Sequence, residues 1–182
     1  MVEANKVIVN SDKKASEFIV RFFEGNRGLL HKQMAVLDIG AGKYRHANYL
    51  RRLGIRDVTC VDYFAFPDLL SKGIKFIQHD LEDGLPIFTS NSFDLLVCTY
   101  VLEYIRHREP FMVELDRIAR PGCLLILQAV KKPTKLGYPL DLAEVVEFLL
   151  NRGTWKVLYK RSMNGRPGFV LQKVSESLEE VI

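Results

Sequence analysis

The sequence predicts a doubly wound α/β fold: a mostly parallel, seven-stranded sheet with helices on both faces and a C-terminal antiparallel hairpin. Three observations carry the prediction. From Met34 to Leu150, short apolar runs alternate with segments of helical period, the order in which strand–helix units build a parallel sheet. The last two apolar runs are separated only by "NGRPG", a turn signal that suits a hairpin. No repeat, low-complexity tract or Gly/Ser/Pro linker divides the 182 residues, a length that suits one domain.

The elements follow in order. A helix is expected over about residues 14–24, ahead of the first strand. "MAVLDI" (34–39) is apolar without alternation and ends at glycine, as a strand buried on both faces does. From Tyr44 to Leu53, Ala47, Leu50 and Leu53 share one helical face, and Gly54 suits a C-terminal cap. "DVTCVD" (57–62), "IKFIQHD" (74–80) and "FDLLVCTY" (93–100) read as further strands, with a short helix near Pro67 between the first two. Pro110 sits at a helix start, with Phe111, Leu115 and Ile118 forming its stripe. "RPG" (120–122) is expected to stop that helix and lead into "CLLILQAV" (123–130). Asp141 and Glu144 resemble a capping box for a helix over 142–151, striped by Leu142, Val145, Val146 and Leu149. "WKVLYKRSM" and "GFVLQKV" complete the hairpin.

Bulk properties exclude several classes. A hydrophobic fraction of 48% with 26% charged residues is ordinary for a globular domain. Every long apolar run is strand-sized, so no membrane span is expected. The N-terminus has scattered charges and no apolar core, so it does not read as a signal peptide. Cys60, Cys98 and Cys123 form no CxxC pair and lie in apolar runs, which fits reduced core thiols and a cytoplasmic location. The four histidines show no metal-ligand spacing, so no metal is expected. A net charge of +4 suits a solvated surface better than a nucleic-acid footprint. The basic clusters Arg51–Arg52, Arg106–Arg108 and Lys131–Lys132 with Lys135 remain a secondary clue.

In open α/β sheets the ligand lies beyond the carboxyl ends of the strands. Those ends carry Asp38-Ile39-Gly40-Ala41-Gly42, then Asp62-Tyr63, Asp80-Leu81 and Cys98-Thr99. A P-loop fails, because Lys43 is followed by Tyr44 and no glycine stands five residues before Gly42. A GxGxxG dinucleotide loop is incomplete, since Arg45 holds the last position. Asp38 would also repel a pyrophosphate, whereas a carboxylate there attracts an ammonium group.

This combination resembles the class I S-adenosylmethionine-dependent methyltransferases, in particular the small-domain group of menaquinone/ubiquinone-type enzymes. The resemblance runs from Val36 to Val130 by motif and extends to the hairpin by layout; "FDLLVCTYVLEY" followed by "RPGCLLIL" carries it beyond the glycine loop. It implies the Rossmann-like methyltransferase fold, with S-adenosyl-L-methionine as cofactor and S-adenosyl-L-homocysteine as product. It implies that Gly40, Ala41 and Gly42 approach the methionine part and that Asp38 serves its amino group. Asp62 would take the ribose hydroxyls, with Tyr63 beside it, and Asp80 with Leu81 would read the adenine. Cys98 and Thr99 complete the cofactor side. The chain departs from the family pattern at Tyr44, where the third loop glycine is usual, at Tyr104 and at Cys123. Tyr44 is expected to fill space rather than shape the pocket.

One methyltransferase domain is expected over 1–182. Residues 1–33 would form a helical segment over the cofactor site, 34–130 the cofactor-binding core, and 131–182 a helix plus the hairpin. Glu103 and Tyr104 follow the fourth strand, where acceptors sit in such enzymes, and are candidates to act on one; His107 is expected to be solvated. No catalytic residue is assigned. "CTYV" (98–101) replaces the [DN]PP[YF] motif of base- and glutamine-methylating enzymes, and no Pro-Cys dipeptide supplies a cytosine-C5 nucleophile. A small, acidic or partner-presented acceptor would suit the lysines and arginines of these loops, and nucleic acid stays possible but is not favoured. A partner protein, and a non-catalytic binding or activating subunit of the same fold, stay open as alternatives, as does a nucleotide-dependent oxidoreductase.

Overall fold

The computed structural model describes residues 14–66, 68, 73–130 and 137–174. The chain runs α1 (Glu17–Gly25), β1 (Ala35–Ile39), α2 (Arg45–Arg52), β2 (Asp57–Asp62), β3 (Ile74–Gln78), β4 (Phe93–Thr99), α3 (Arg108–Ile118), β5 (Ala119–Gln128), α4 (Leu142–Leu150), β6 (Trp155–Met163) and β7 (Arg166–Lys173). These strands form one seven-stranded sheet in the order β3-β2-β1-β4-β5-β7-β6. Strands β1 to β5 pair in parallel, and β7 pairs antiparallel with both β5 and β6. The expected fold class is the observed one. The helix expected near Pro67 and the lysines at 131, 132 and 135 lie outside the described residues.

Alternation along each strand divides the apolar side chains between two cores. Val36, Leu95, Val97, Leu124 and Ile126 face α1 and α2, packing with Phe18, Ile19, Phe22, Phe23, Ala47 and Leu50. Leu37, Ile39, Leu96, Cys98, Leu125 and Leu127 face α3 and α4, packing with Phe111, Leu115, Val146 and Leu149. Each fully buried aromatic or aliphatic side chain contributes about 1.5–3 kcal/mol, so both layers hold the sheet. The same parity sends Asp38, Thr99 and Gln128 to the α1/α2 face, and that places the polar groups of the site.

Local chemistry sets the element ends. Ser16 caps α1 by accepting from the Ile19 N–H, and Asp141 caps α4 by accepting from the Ala143 N–H at 2.8 Å. Pro110 lies in the first turn of α3, where no intrahelical donor is needed. The hairpin turn is tighter than the sequence suggests. Only Asn164 and Gly165 form it, at φ 54° and 73°, and Met163 already pairs with Arg166; two positive-φ residues match the right-handed strand twist.

One expectation needs correcting. "RPG" does not separate α3 from its strand, because β5 begins at Ala119, paired with Phe93. These three residues and Cys123 lie opposite Asp94 alone, a bulge that ends where Leu124 meets Leu95. Arg120 secures the bulge by bonding the Asp94 carboxylate at 2.8 Å and the Asn91 carbonyl at 3.1 Å, and Gly122 takes its φ of 82°.

Candidate active site

The order of the sheet reverses beside β1, and a cavity of about 810 Å³ opens there beyond the carboxyl ends of the strands. Residues 40–42, 62–63, 80–81 and 99–101 form its floor, while Lys14–Phe18 and the hairpin turn with Arg166 form its walls.

The loop after β1 needs glycine twice, for different reasons. Gly40 has φ 63°, and a Cβ there would run into the γ-methyl of Val101. Gly42 has φ 50°, yet nothing lies where its Cβ would stand, so bare backbone faces the cavity. Tyr44 keeps the left-handed backbone of the absent third glycine, at φ 58°. Its ring points away from the cavity, 1% exposed and edge-on to Phe76 at 5.7 Å. Its hydroxyl accepts from the Phe66 N–H at 2.8 Å. Tyr44 is therefore a core residue that props the loop after β2.

The three strand-end carboxylates have different surroundings. Asp62 accepts from the Gly42 N–H through Oδ2 at 2.8 Å and from the Phe64 N–H through Oδ1 at 3.0 Å. Each oxygen keeps a second lone pair for a ligand. Asp80 is exposed and caps the short turn Leu81–Asp83, with Oδ1 accepting from the Glu82 N–H. Asp38 is 1% exposed and does not line the cavity. Its Oδ2 accepts from the Ala47 N–H in the first turn of α2 at 3.1 Å, which offsets part of its burial cost.

His46, which the sequence reading did not single out, joins Asp38 to the cavity wall. Its Nε2 accepts from the Ser16 N–H at 3.3 Å, so the proton of the neutral ring is on Nδ1. Nδ1 lies 3.4 Å from Thr99 Oγ1 and 3.8 Å from Asp38 Oδ1. The ring thereby fastens the segment before α1 to the strand ends.

Of the other expected residues, Gly40, Ala41, Gly42, Asp62, Tyr63, Asp80, Leu81, Thr99 and Tyr104 line the cavity. Cys98 does not, because it alternates with Thr99 and faces the α3/α4 core. Glu103 does not either. It is 1% exposed, and its Oε1 accepts from the Val130 N–H at 2.6 Å. The Glu103 carbonyl accepts from the Tyr138 N–H at 2.7 Å. Glu103 thus ties down both flanks of residues 131–136, and burial raises its carboxyl above the ordinary range. His107 is exposed at the start of α3. Tyr100, Gln128, Arg45 and Arg166 line the cavity without having been expected. Gln128 is 3% exposed and its Oε1 has no partner among the described residues. The strand-end pattern could have indicated Gln128; only the hairpin register brings Arg166 in.

All three cysteines are buried, and burial raises their thiols, Cys123 to about 12. Among the described residues no cluster of His, Cys, Asp and Glu could hold a metal ion, and no helix is long and apolar enough to cross a membrane.

Comparison with known proteins agrees with this geometry. A family profile described as "Methyltransferase domain" matches residues 37–127. The mitochondrial ubiquinone biosynthesis O-methyltransferase of Mus musculus is 29% identical over 134 residues, which are 66% of this chain and 35% of that protein. The chain therefore spans about a third of the length of that relative. A crystal structure of the Burkholderia thailandensis 1,6-didemethyltoxoflavin-N1-methyltransferase, with bound 1,6-didemethyltoxoflavin and S-adenosylhomocysteine, superposes with a TM-score of 0.69 at 14% identity. It covers 87% of this chain and 78% of that one. A SAM-dependent methyltransferase from Aquifex aeolicus superposes with a TM-score of 0.63 at 19% identity, covering 83% and 88%.

Proposed function

The chain belongs to the class I S-adenosylmethionine-dependent methyltransferases, and from that premise we propose that it transfers a methyl group to a small-molecule acceptor. The observation that carries this reading is the setting of Asp62. Two backbone N–H groups hold its carboxylate in place, and one of them belongs to the glycine loop itself. The free lone pairs suit the two hydroxyls of a ribose. Gly42 offers open space beside them, as a ligand lying against backbone requires.

In this reading Asp80 and Leu81 hold the adenine end and Gly40–Gly42 the methionine part. Asp38 acts indirectly, by fixing the start of α2 and orienting His46. The bound cofactor would supply an activated methyl group on a sulfonium for in-line displacement by the acceptor atom. The protein then contributes alignment and the exclusion of water, which account for much of the acceleration in such displacements. Lys14–Phe18 and the hairpin turn close the cavity on the acceptor side. Tyr104 is the remaining acceptor-facing candidate, and Glu103 holds Val130 and Tyr138.

A small acceptor is favoured because the cavity is walled rather than flat, and because the curated relative is named for O-methylation in ubiquinone biosynthesis. Incubating the purified chain with methyl-labelled S-adenosylmethionine and cell extract tests the reading. Label is expected in the small-molecule fraction; label confined to nucleic acid or protein contradicts it. Turnover by the chain alone also separates it from a non-catalytic subunit.

A further inference from the structure

Resting on the methyltransferase reading, we propose that the acceptor carries an anionic oxygen group, a carboxylate or a phosphate, and that Arg166 and Arg45 grip it beside the Tyr100 hydroxyl.

The charge in the cavity is divided along the sheet. Asp62, Asp80 and Glu82 belong to the β2–β3 side. Tyr100, at the end of β4, and Arg166, at the start of β7, lie across β1 on the opposite side. Arg45 opens α2 between them. The Arg166 guanidinium stands over the Tyr100 ring, 5.7 Å from its centroid. Burial raises the Tyr100 phenol above its ordinary range, while the charges of Arg166 and Arg45 and a hydrogen bond from Arg166 act against that rise.

Among the described residues neither arginine has an ion-pair partner. The one acid in that wall, Glu17, is engaged by Arg21 at 2.7 Å. Guanidinium groups that line a cavity with no ion-pair partner are set up for an external anion, which they can bind bidentately. Tyr100 is also held in a left-handed backbone, φ 59°. That conformation is costly for an aromatic residue, and it aims the ring under Arg166. The hairpin reaches the site because its two-residue turn starts β7 at Arg166 itself. The group gripped here is small, since Lys14–Phe18 and Asn164 wall this end.

The same arginines could instead hold the carboxylate of the cofactor, and the test separates the two. The full chain and its Arg166→Gln, Arg166→Lys and Arg45→Gln variants are titrated by calorimetry with S-adenosylhomocysteine. Thermal stabilisation by benzoate and by inorganic phosphate is then followed, with and without saturating S-adenosylhomocysteine. The expected result is saturable stabilisation of the native chain by at least one anion. It is weakened at least tenfold in Arg166→Gln and Arg45→Gln and partly restored in Arg166→Lys. Affinity for S-adenosylhomocysteine stays within threefold throughout. The arm that responds tells a carboxylate from a phosphate. Stabilisation by neither anion, stabilisation indifferent to both glutamine variants, or a parallel tenfold loss of S-adenosylhomocysteine affinity overturns the proposal. An arginine-dependent anion response in a chain that does not bind S-adenosylhomocysteine would uphold the anion site and defeat the methyltransferase reading beneath it.

Discussion

Tyr44 and Glu103 stand beside the cavity without lining it, each holding a neighbouring segment through one hydrogen bond. Tyr44 stands where a loop glycine is usual, and the structure shows it adopting the glycine backbone while burying its ring. Tyr44→Phe leaves the Phe66 N–H without its acceptor and is expected to cost about 1 kcal/mol. Tyr44→Gly relieves about 1–2 kcal/mol of left-handed strain but forfeits a buried aromatic worth about 3–5 kcal/mol, so it destabilises on balance. Urea denaturation of both variants checks the order. Glu103 has the type and sequence position of an acid that could face the acceptor, yet its carboxylate turns inward to the Val130 N–H. Burial raises its folded-state pKa above that of an ordinary glutamate. The unfolded chain therefore gives up this proton first, and stability falls as pH rises from about 4.5 to the folded value. Glu103→Gln removes that titration. Denaturation midpoints measured against pH should show the native chain losing stability relative to Glu103→Gln over this range; parallel curves would contradict the assignment. The space-filling role of Tyr44 was expected from the sequence, but neither its bond to the Phe66 N–H nor the inward turn of Glu103 was legible there, because residue type does not say which way a side chain turns inside a tight turn.

Elements were legible where burial on both faces leaves a continuous apolar run, as in β1, β2 and β4. They were less legible where geometry departs from pattern. "RPG" looks like punctuation, but Arg120 ties it into the sheet as a bulge. The position of α1 also depends on one glycine that sequence reasoning passed over. A Cβ at Gly168 of β7 would lie 2.6–2.8 Å from three atoms of the Phe18 ring, and Phe18 is fully buried. Gly168→Ala must therefore push α1 off the sheet, at about 1–3 kcal/mol for an overpacked core. Hydrogen exchange should quicken in α1, and with it in the Lys14–Phe18 wall, while β1 to β4 stay protected. Unchanged exchange in α1 would show that the helix does not rest on this contact.

Over the whole molecule, the strand-end series was readable because parallel topology gathers every carboxyl end at one edge. Asp62, Asp80 and the glycine loop met as expected. Cys98 was kept from the cavity by the face it presents, a parity that the strand-end rule does not carry; Asp38 shares the face of Thr99 and Gln128 but is buried, bonded to the Ala47 N–H and next to His46. The arginine side of the cavity stayed hidden, because only the antiparallel return of β7 brings Arg166 to Tyr100. The central claim is that this edge binds S-adenosylmethionine and its product through Asp62. A ligand that binds only the native state at 100 times its Kd adds about 2.7 kcal/mol, which raises Tm by about 5–10 °C for a chain of this size. S-adenosylhomocysteine is expected to produce that shift in the native chain. Asp62→Ala should lose most of it, with affinity down at least about tenfold for two charge-assisted hydrogen bonds. No shift in the native chain, an equal shift in Asp62→Ala, or a larger shift with NAD would contradict the account.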